Sequence, residues 1–101
     1  MFRTKKLVQE WIKSGEKTIE LRKGKPLDGD SIIFLSGRGE KVKARIITKN
    51  EGKLEEVVNN DTYKKIVPTA RNLEEALAFI KGIYPSAEGA FTTYEFQLIE
   101  N

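Results

Sequence analysis

Two parts of the chain have hydrophobic residues every three to four positions, the spacing of an amphipathic helix. In the first, residues 4–14, an apolar stripe includes Trp11, which we assign to the core, and Gly15 is placed to close the helix in the left-handed conformation. In the second, residues 73–82, the stripe follows a capping-box pattern that starts at Asn72. The pattern therefore predicts helices over about 4–14 and 73–82.

Elsewhere the period changes to two, the spacing of a strand with one buried face. This alternation, or a short continuous apolar run, predicts strands over residues 17–23, 31–36, 41–48 and 91–99. Weaker helical patterns lie near residues 54–58 and 61–66. Because strands and helices do not alternate regularly, we expect an α+β fold: a small, mostly antiparallel β-barrel with flanking helices.

Length and composition exclude several classes of protein. At 101 residues, the chain is expected to form a single domain over residues 1–101. It contains no Cys and no His, which excludes thiol nucleophiles, zinc–thiolate sites and Ser-His triads, and we expect no metal and no cofactor. No apolar run approaches the ~20 residues of a membrane span or resembles a signal peptide, so we expect a cytoplasmic protein without membrane partners.

The net charge of +3 conceals an asymmetry between the two halves of the chain. Residues 1–49 hold 13 Lys and Arg against 6 Asp and Glu, a charge of +7, whereas residues 50–101 hold 5 against 9, a charge of −4. A basic half is typical of a small domain that binds nucleic acid. A chance imbalance of surface charge accounts for it nearly as well.

A cationic ladder runs along the third predicted strand. Lys41, Lys43 and Arg45 alternate with apolar residues, and Arg38 lies in the preceding turn. Side chains two residues apart on a strand are ~6.6 Å apart, so the ladder spans ~13 Å and could contact several phosphates of RNA. The alternative is edge protection, in which lysines keep an exposed strand from pairing with another sheet.

A second group of charges lies on the first predicted strand. Glu20 and Arg22 share one face by the period-two rule, and Lys17 lies at the start of the strand beside Gly15. Opposite charges on a sheet face are often solvated, so spacing alone also allows an ordinary surface pair.

The stretch GEKTIELR at residues 15–22 resembles the G-x-K-x-x-E-x-R signature of the ASCH (activating-signal-cointegrator homology) family, which is related to PUA domains. Further similarity lies at residues 29–30, 83–85 and 94–96, so the resemblance spans the chain. It implies a PUA-like β-barrel that recognises RNA or a nucleoside in a cleft. The residues that it places in this cleft are Gly15, Lys17, Glu20 and Arg22. Glu20 and Arg22 could instead form a structural ion pair at the mouth of the barrel.

Small amidohydrolases that act on acetylated cytidine are similar to this family and carry the motif G-x-K-T-x-T-x-R. Lys17 and Thr18 match it, but Glu20 stands at the second threonine, and the position of a later catalytic glutamate falls near Thr69. A hydrolase would therefore need Lys17 and Glu20 as catalytic residues that activate water. Three interpretations remain: a domain that binds RNA or a modified nucleoside, an amidohydrolase, and a protein-interaction module with a vestigial cleft.

Overall fold

Five strands and four helices follow one another along residues 2–99, the part of the chain that the computed structural model describes. In chain order they are β1 (Phe2–Thr4), α1 (Lys6–Ser14), β2 (Ile19–Lys23), β3 (Ser31–Ser36), β4 (Lys41–Gly52), α2 (Leu54–Val57), α3 (Tyr63–Ile66), α4 (Leu73–Ile83) and β5 (Phe91–Leu98). The predicted strands and helices are all present. Strand β3 has the predicted bounds, and β4 extends four residues further than predicted.

The start of the chain differs from the prediction. The first helix was expected from residue 4, but it begins at Lys6, because Phe2–Thr4 form a strand parallel to β3. The ring of Phe2 packs edge-on against Phe34 and Tyr94, with ring centroids 6.3 and 5.5 Å apart. Tertiary packing therefore fixes β1, and a strand of three residues is too short to show a period in the sequence.

A β-bulge explains why the alternating pattern did not predict the last four residues of β4. The register of β4 against β5 shifts between Ile46 and Thr48, and Ile47 is exposed there. Pairing resumes beyond the bulge and continues to Gly52. An added residue reverses which positions face the core, so the alternation that predicted this strand does not continue past the bulge.

The five strands form one curled sheet in the order β1-β3-β4-β5-β2. Only the β1–β3 pair is parallel. The predicted α+β fold with a mostly antiparallel, barrel-like sheet is confirmed. Strands β1 and β2 are the two edges of this half-barrel, and the guanidinium of Arg22 bridges them by donating from Nη2 to the carbonyl oxygen of Arg3 at 3.0 Å.

Apolar side chains form two clusters. One lies inside the curl of the sheet and includes Phe34, Tyr94 and Phe96. The other joins Ile19 and Leu21 of β2 to helices α2 to α4 and includes Trp11, which is buried as expected. Over Ile19–Leu21, strand β2 is covered on both faces, and Glu20 is enclosed with its apolar neighbours. Within residues 2–99, none of the helices has the length and hydropathy needed to cross a bilayer.

Candidate functional site

A cavity of about 180 Å³ lies between the edge strands β1 and β2. Its polar floor is formed by Lys17, Glu20 and Arg22, which we call the triad. Apolar side chains from α1, from the end of α3 and from α4 form its walls. The cavity is therefore a small apolar chamber with three charged groups at one side.

Lys17 is the most enclosed cation of the triad. The chain reaches it through Gly15, which ends α1 with a φ of 84°, and the side chain of Lys17 is directed to the end of α3. Its Nζ donates to the carbonyl oxygen of Ile66 at 2.7 Å and lies 3.5 Å from Oε1 of Glu20. The residue is only 4% exposed. Burial lowers the pKa of the Lys17 ammonium below its usual range, and the Glu20 carboxylate offsets part of this shift.

Glu20 lies between the two cations. Its Oε1 accepts from the backbone N–H of Leu21 at 3.2 Å, and its Oε2 accepts from Nη2 of Arg22 at 3.0 Å. The residue is 6% exposed, so these contacts form away from bulk water. With Lys17 protonated, two cations and one anion leave the triad with a net charge of +1. Such a group favours a ligand that presents carbonyl oxygens or an anion.

Arg22 has a donor that is not used. Its guanidinium lies over the ring of Phe2, with Cζ 4.3 Å from the ring centroid, and Nη2 contacts both Glu20 and the carbonyl of Arg3. Its Nε is buried and has no hydrogen-bond partner among residues 2–99. A buried donor without an acceptor costs about 1–3 kcal/mol, so an acceptor that reaches Nε would stabilise the site.

Three residues that the sequence analysis did not assign to the site also line the cavity. Two of them, Phe79 and Ile83 on α4, are 39% and 49% exposed. The Oη of Tyr84 lies 3.5 Å from the carbonyl oxygen of Leu21. Burial raises the pKa of the Tyr84 hydroxyl, which stays protonated at neutral pH. The signal in the sequence was the pair Phe79 and Ile83, four residues apart and off the core stripe of their helix.

The other predicted site residues lie outside the cavity. Gly15 closes α1 and does not line the cavity, so its contribution is to the path of the chain that leads to Lys17. Arg38 lies in the β3–β4 turn and lines a separate groove against α1. The ladder residues Lys41, Lys43 and Arg45 are exposed on the outer face of the sheet.

The edge-protection interpretation is wrong for Lys43 and Arg45. Arg45 pairs with both Ser31 of β3 and Gln97 of β5, and Lys43 pairs with Ile33 of β3 and accepts from the backbone N–H of Ile99 on its other side. These two positions therefore lie on an inner strand, and their side chains extend from a sheet face into solvent.

The cavity contains one carboxylate. Glu20 is the one acidic side chain among the residues that line it, and each of its oxygens already faces a cation. Across the described residues, no three Asp or Glu side chains converge as metal ligands would. The chemistry available in the cavity is hydrogen bonding by Lys17, Glu20, Arg22 and Tyr84, together with proton transfer at Lys17, whose pKa is lowered.

Comparison with known proteins identifies the fold. A scan against protein-family models finds no match, and a search of curated protein sequences finds none either. The crystal structure of hypothetical protein PH0355 matches with a TM-score of 0.71 and 18% identity, over 97% of this chain and 96% of that one. The ASCH protein from Zymomonas mobilis matches with a TM-score of 0.65 and 17% identity, over 95% of this chain and 64% of that one. This chain has the ASCH-domain fold.

A point mutant of the Zymomonas protein gives the same result, with a TM-score of 0.66 and 17% identity over 98% of this chain and 70% of that one. This chain therefore spans about two thirds of the length of the Zymomonas chains. At these identities the comparison establishes the ASCH fold. The triad lies in the opening between the edge strands of this ASCH fold.

Proposed function

We propose that the cavity binds one nucleobase, presented by a modified nucleoside or by an RNA nucleotide turned out of its strand. The observation that carries this proposal is the triad, with Lys17 and Glu20 buried, at the floor of a cavity of about 180 Å³. Pockets for drug-sized ligands measure roughly 300–1,000 Å³, so this cavity suits a single small ring system. Recognition of single unstacked bases is the usual mode of sequence-specific RNA binding.

The donors and acceptors of the triad match the edge of a base. An ammonium has three hydrogens, and Ile66 and Glu20 occupy two of those on Lys17, which leaves one for a base carbonyl. Glu20 can accept from an exocyclic amine, and Arg22 offers its Nε. Cytosine and guanine carry both a carbonyl oxygen and an amino group, so we expect them to be preferred to uracil. The apolar walls, which include the ring of Phe79, suit the faces of the base.

Titration with nucleosides tests this proposal directly. Trp11 is the single tryptophan of the chain, and its ring centroid lies 6.0 Å from that of Phe79 in the cavity wall, so its fluorescence reports on occupancy. We expect saturable binding of cytidine or N4-acetylcytidine, weakened at least about tenfold by Lys17→Met and by Arg22→Gln. Lys81→Met is the matched control, because Lys81 is exposed on α4 and does not line the cavity.

Absence of saturable binding by every nucleoside would overturn the proposal and favour a protein-interaction module with a vestigial cleft. Equal weakening by the Lys81→Met control would show that the readout reports surface charge, which would also contradict binding in the cavity.

Hydrolysis of acylated cytidine is the second candidate, and the lowered pKa of Lys17 favours it because a neutral amine can act as a general base. Thr18 does not line the cavity, so water would be the nucleophile. Water would lose a proton to Lys17 and add to the acyl carbon. The C–N bond would then break as the amine of cytidine takes up a proton, releasing acetate. Acetate release that both Lys17→Met and Glu20→Gln abolish would support a hydrolase, and none above a protein-free control would contradict it.

We also propose that the ladder contacts RNA phosphates. Lys41, Lys43 and Arg45 project from the exposed face of β4, and none forms an ion pair with another residue in the range 2–99. Unpaired cations spaced along a strand attract a polyanion without selecting a base. The ladder would therefore raise the rate and strength of RNA association, while the cavity would select the nucleotide.

A further inference from the structure

A groove of about 490 Å³ runs between α1 and the β3–β4 turn. Thr4 and Lys5 line both this groove and the base cavity, so the two are neighbours across the junction of β1 and α1. A molecule that occupies the cavity can therefore continue into the groove without leaving the protein surface.

The charged groups that line the groove are mainly cations. Lys5, Lys6 and Arg38 form no ion pair with any residue from 2 to 99, whereas Lys13 pairs with Glu40. Glu10 is the remaining acidic group, so the lining residues have a net charge of +2. The groove therefore favours an anionic ligand.

The frame that holds these cations is fixed by partly buried hydrogen bonds. Gln9 is only 3% exposed, and its Nε2 donates to the carbonyl oxygen of Glu40 at 3.2 Å, which ties α1 to the turn. The hydroxyl of Ser36 accepts from the backbone N–H groups of Arg38 and Glu40 at 3.3 and 3.2 Å. Because the walls of the groove are already in place, ligand binding costs less conformational entropy.

The orientation of α1 adds to the positive electrostatic potential of the groove. The helix begins at this groove, has no acidic residue in its first turn, and receives no side-chain hydrogen bond from its N-cap residue Lys5. The positive end of the helix dipole is therefore not neutralised locally, and it has the same sign as the side chains of Lys6 and Arg38.

We infer that this groove binds the phosphodiester backbone of a single-stranded RNA whose base occupies the cavity. The inference rests on the proposed function of the cavity and names its ligand more closely: an RNA strand is preferred to the free nucleoside. The groove is larger than the base cavity, which suits a backbone segment better than one isolated phosphate. This inference gives Arg38 a different role from the ladder residues. Arg38 contacts the RNA strand whose base is bound in the cavity, whereas the ladder lies on the outer face of the sheet.

Three ligands with the same base test the inference: cytidine, cytidine 5′-monophosphate and the trinucleotide CCC. We expect the trinucleotide to bind the wild type at least about tenfold more tightly than cytidine, with the monophosphate between them. The double variant Lys6→Ala/Arg38→Ala should remove this gain and leave the affinity for cytidine unchanged. Its plot of log affinity against log salt should be flatter by about 1.4 units, since each phosphate contact to a single strand contributes about 0.7.

The control is Lys64→Ala/Lys65→Ala, which removes the same charge from exposed positions outside both the groove and the cavity. A trinucleotide that binds no more tightly than cytidine would overturn the inference, as would a gain that survives the Lys6→Ala/Arg38→Ala change or is lost equally in the control. An equal gain from the monophosphate alone would also overturn it, because a single phosphate would then account for the groove.

The two proposals fail separately. If cytidine does not bind but the trinucleotide binds through Lys6 and Arg38, the base cavity is wrong and the groove stands as an RNA site. If cytidine binds and the trinucleotide gains nothing, the cavity stands and the groove is wrong. If neither ligand binds, both proposals are wrong.

Discussion

The triad at β2 and the ladder on β4 contain the same kinds of cation in opposite surroundings. On β2 both faces are covered, so Lys17 and Glu20 are buried and in contact with each other. On β4 one face is open to solvent, so Lys43 and its neighbours in the ladder are exposed and unpaired within the described chain. Alternation along a strand reveals which side chains share a face, but the packing of other elements decides whether that face is enclosed.

This difference in burial separates two electrostatic roles. Charges in a low-dielectric site interact strongly with a few neighbours and are little screened by salt. Exposed charges act over about a Debye length and weaken as salt is added. The triad is therefore suited to selecting a ligand, and the ladder is suited to attracting one.

The largest effect is expected when the only anion of the triad is removed. Glu20→Gln leaves Lys17 and Arg22 without an anionic partner, and breaking a buried ion pair in this way costs about 3–5 kcal/mol. Urea unfolding should therefore show a free energy of unfolding lower by about 3 kcal/mol. The control Glu88→Gln, at an exposed loop position, should change it by less than about 0.5 kcal/mol. Equal stability of the two variants would contradict a buried triad.

Sequence spacing was sufficient to predict that Lys17, Glu20 and Arg22 belong together, since all three lie on or beside one short strand. It could not predict the acceptor of Lys17, the carbonyl oxygen of Ile66, which lies 49 residues away along the chain. Nor could it place Phe79 in the cavity wall, because a position off the core stripe of a helix marks an exposed apolar residue but not the cavity that it lines.

The order of the strands in the sheet could not be predicted from the sequence either. The ladder was consistent with an edge strand because local alternation does not encode which strands flank β4. Its two neighbours, β3 and β5, are separated along the chain by the whole of β4, α2, α3 and α4. The small strand β1 was missed for a related reason: its position depends on the contacts of Phe2 with Phe34 and Tyr94, which are distant in sequence.

The pH dependence of binding gives the next largest effect. Burial lowers the pKa of Lys17, so its ammonium loses its proton at a lower pH than an ordinary lysine does. Once Lys17 is neutral, its hydrogen bond to a base carbonyl is no longer charge-assisted. The affinity for cytidine should then fall about tenfold as the pH rises through this lowered pKa. Lys17→Met should bind weakly at every pH, without this step.

Protein stability should move in the opposite direction over the same pH window. The unfolded chain holds the Lys17 proton more tightly than the folded one, so the free energy of unfolding rises as the pH passes upward through the folded-state pKa. Weaker binding together with greater stability would separate loss of the ligand contact from unfolding. A fall in both would contradict a functional role for the Lys17 proton.

A smaller effect is expected in the salt dependence of RNA binding, which compares the ladder with the triad. If the ladder contacts RNA phosphates, Lys43→Ala should weaken RNA binding for all sequences and flatten the plot of log affinity against log salt by about 0.7 units for a single strand. Binding of cytidine, which has no phosphate, should change little over the same salt range. RNA binding that does not respond to salt would remove the ladder from the RNA interface and leave it as a solvated sheet face.

The smallest effect is expected from neutralising the ladder in the absence of RNA. Lys43→Gln removes a charge from an inner strand whose neighbours β3 and β5 already satisfy its backbone. The free energy of unfolding should therefore change by less than about 0.5 kcal/mol, as is usual for exposed positions. Sedimentation should show the same oligomeric state as the wild type, because the substitution uncovers no unpaired edge. New self-association of Lys43→Gln would mean that the ladder prevents contact between sheets even from an inner strand, and would restore a protective role for these cations.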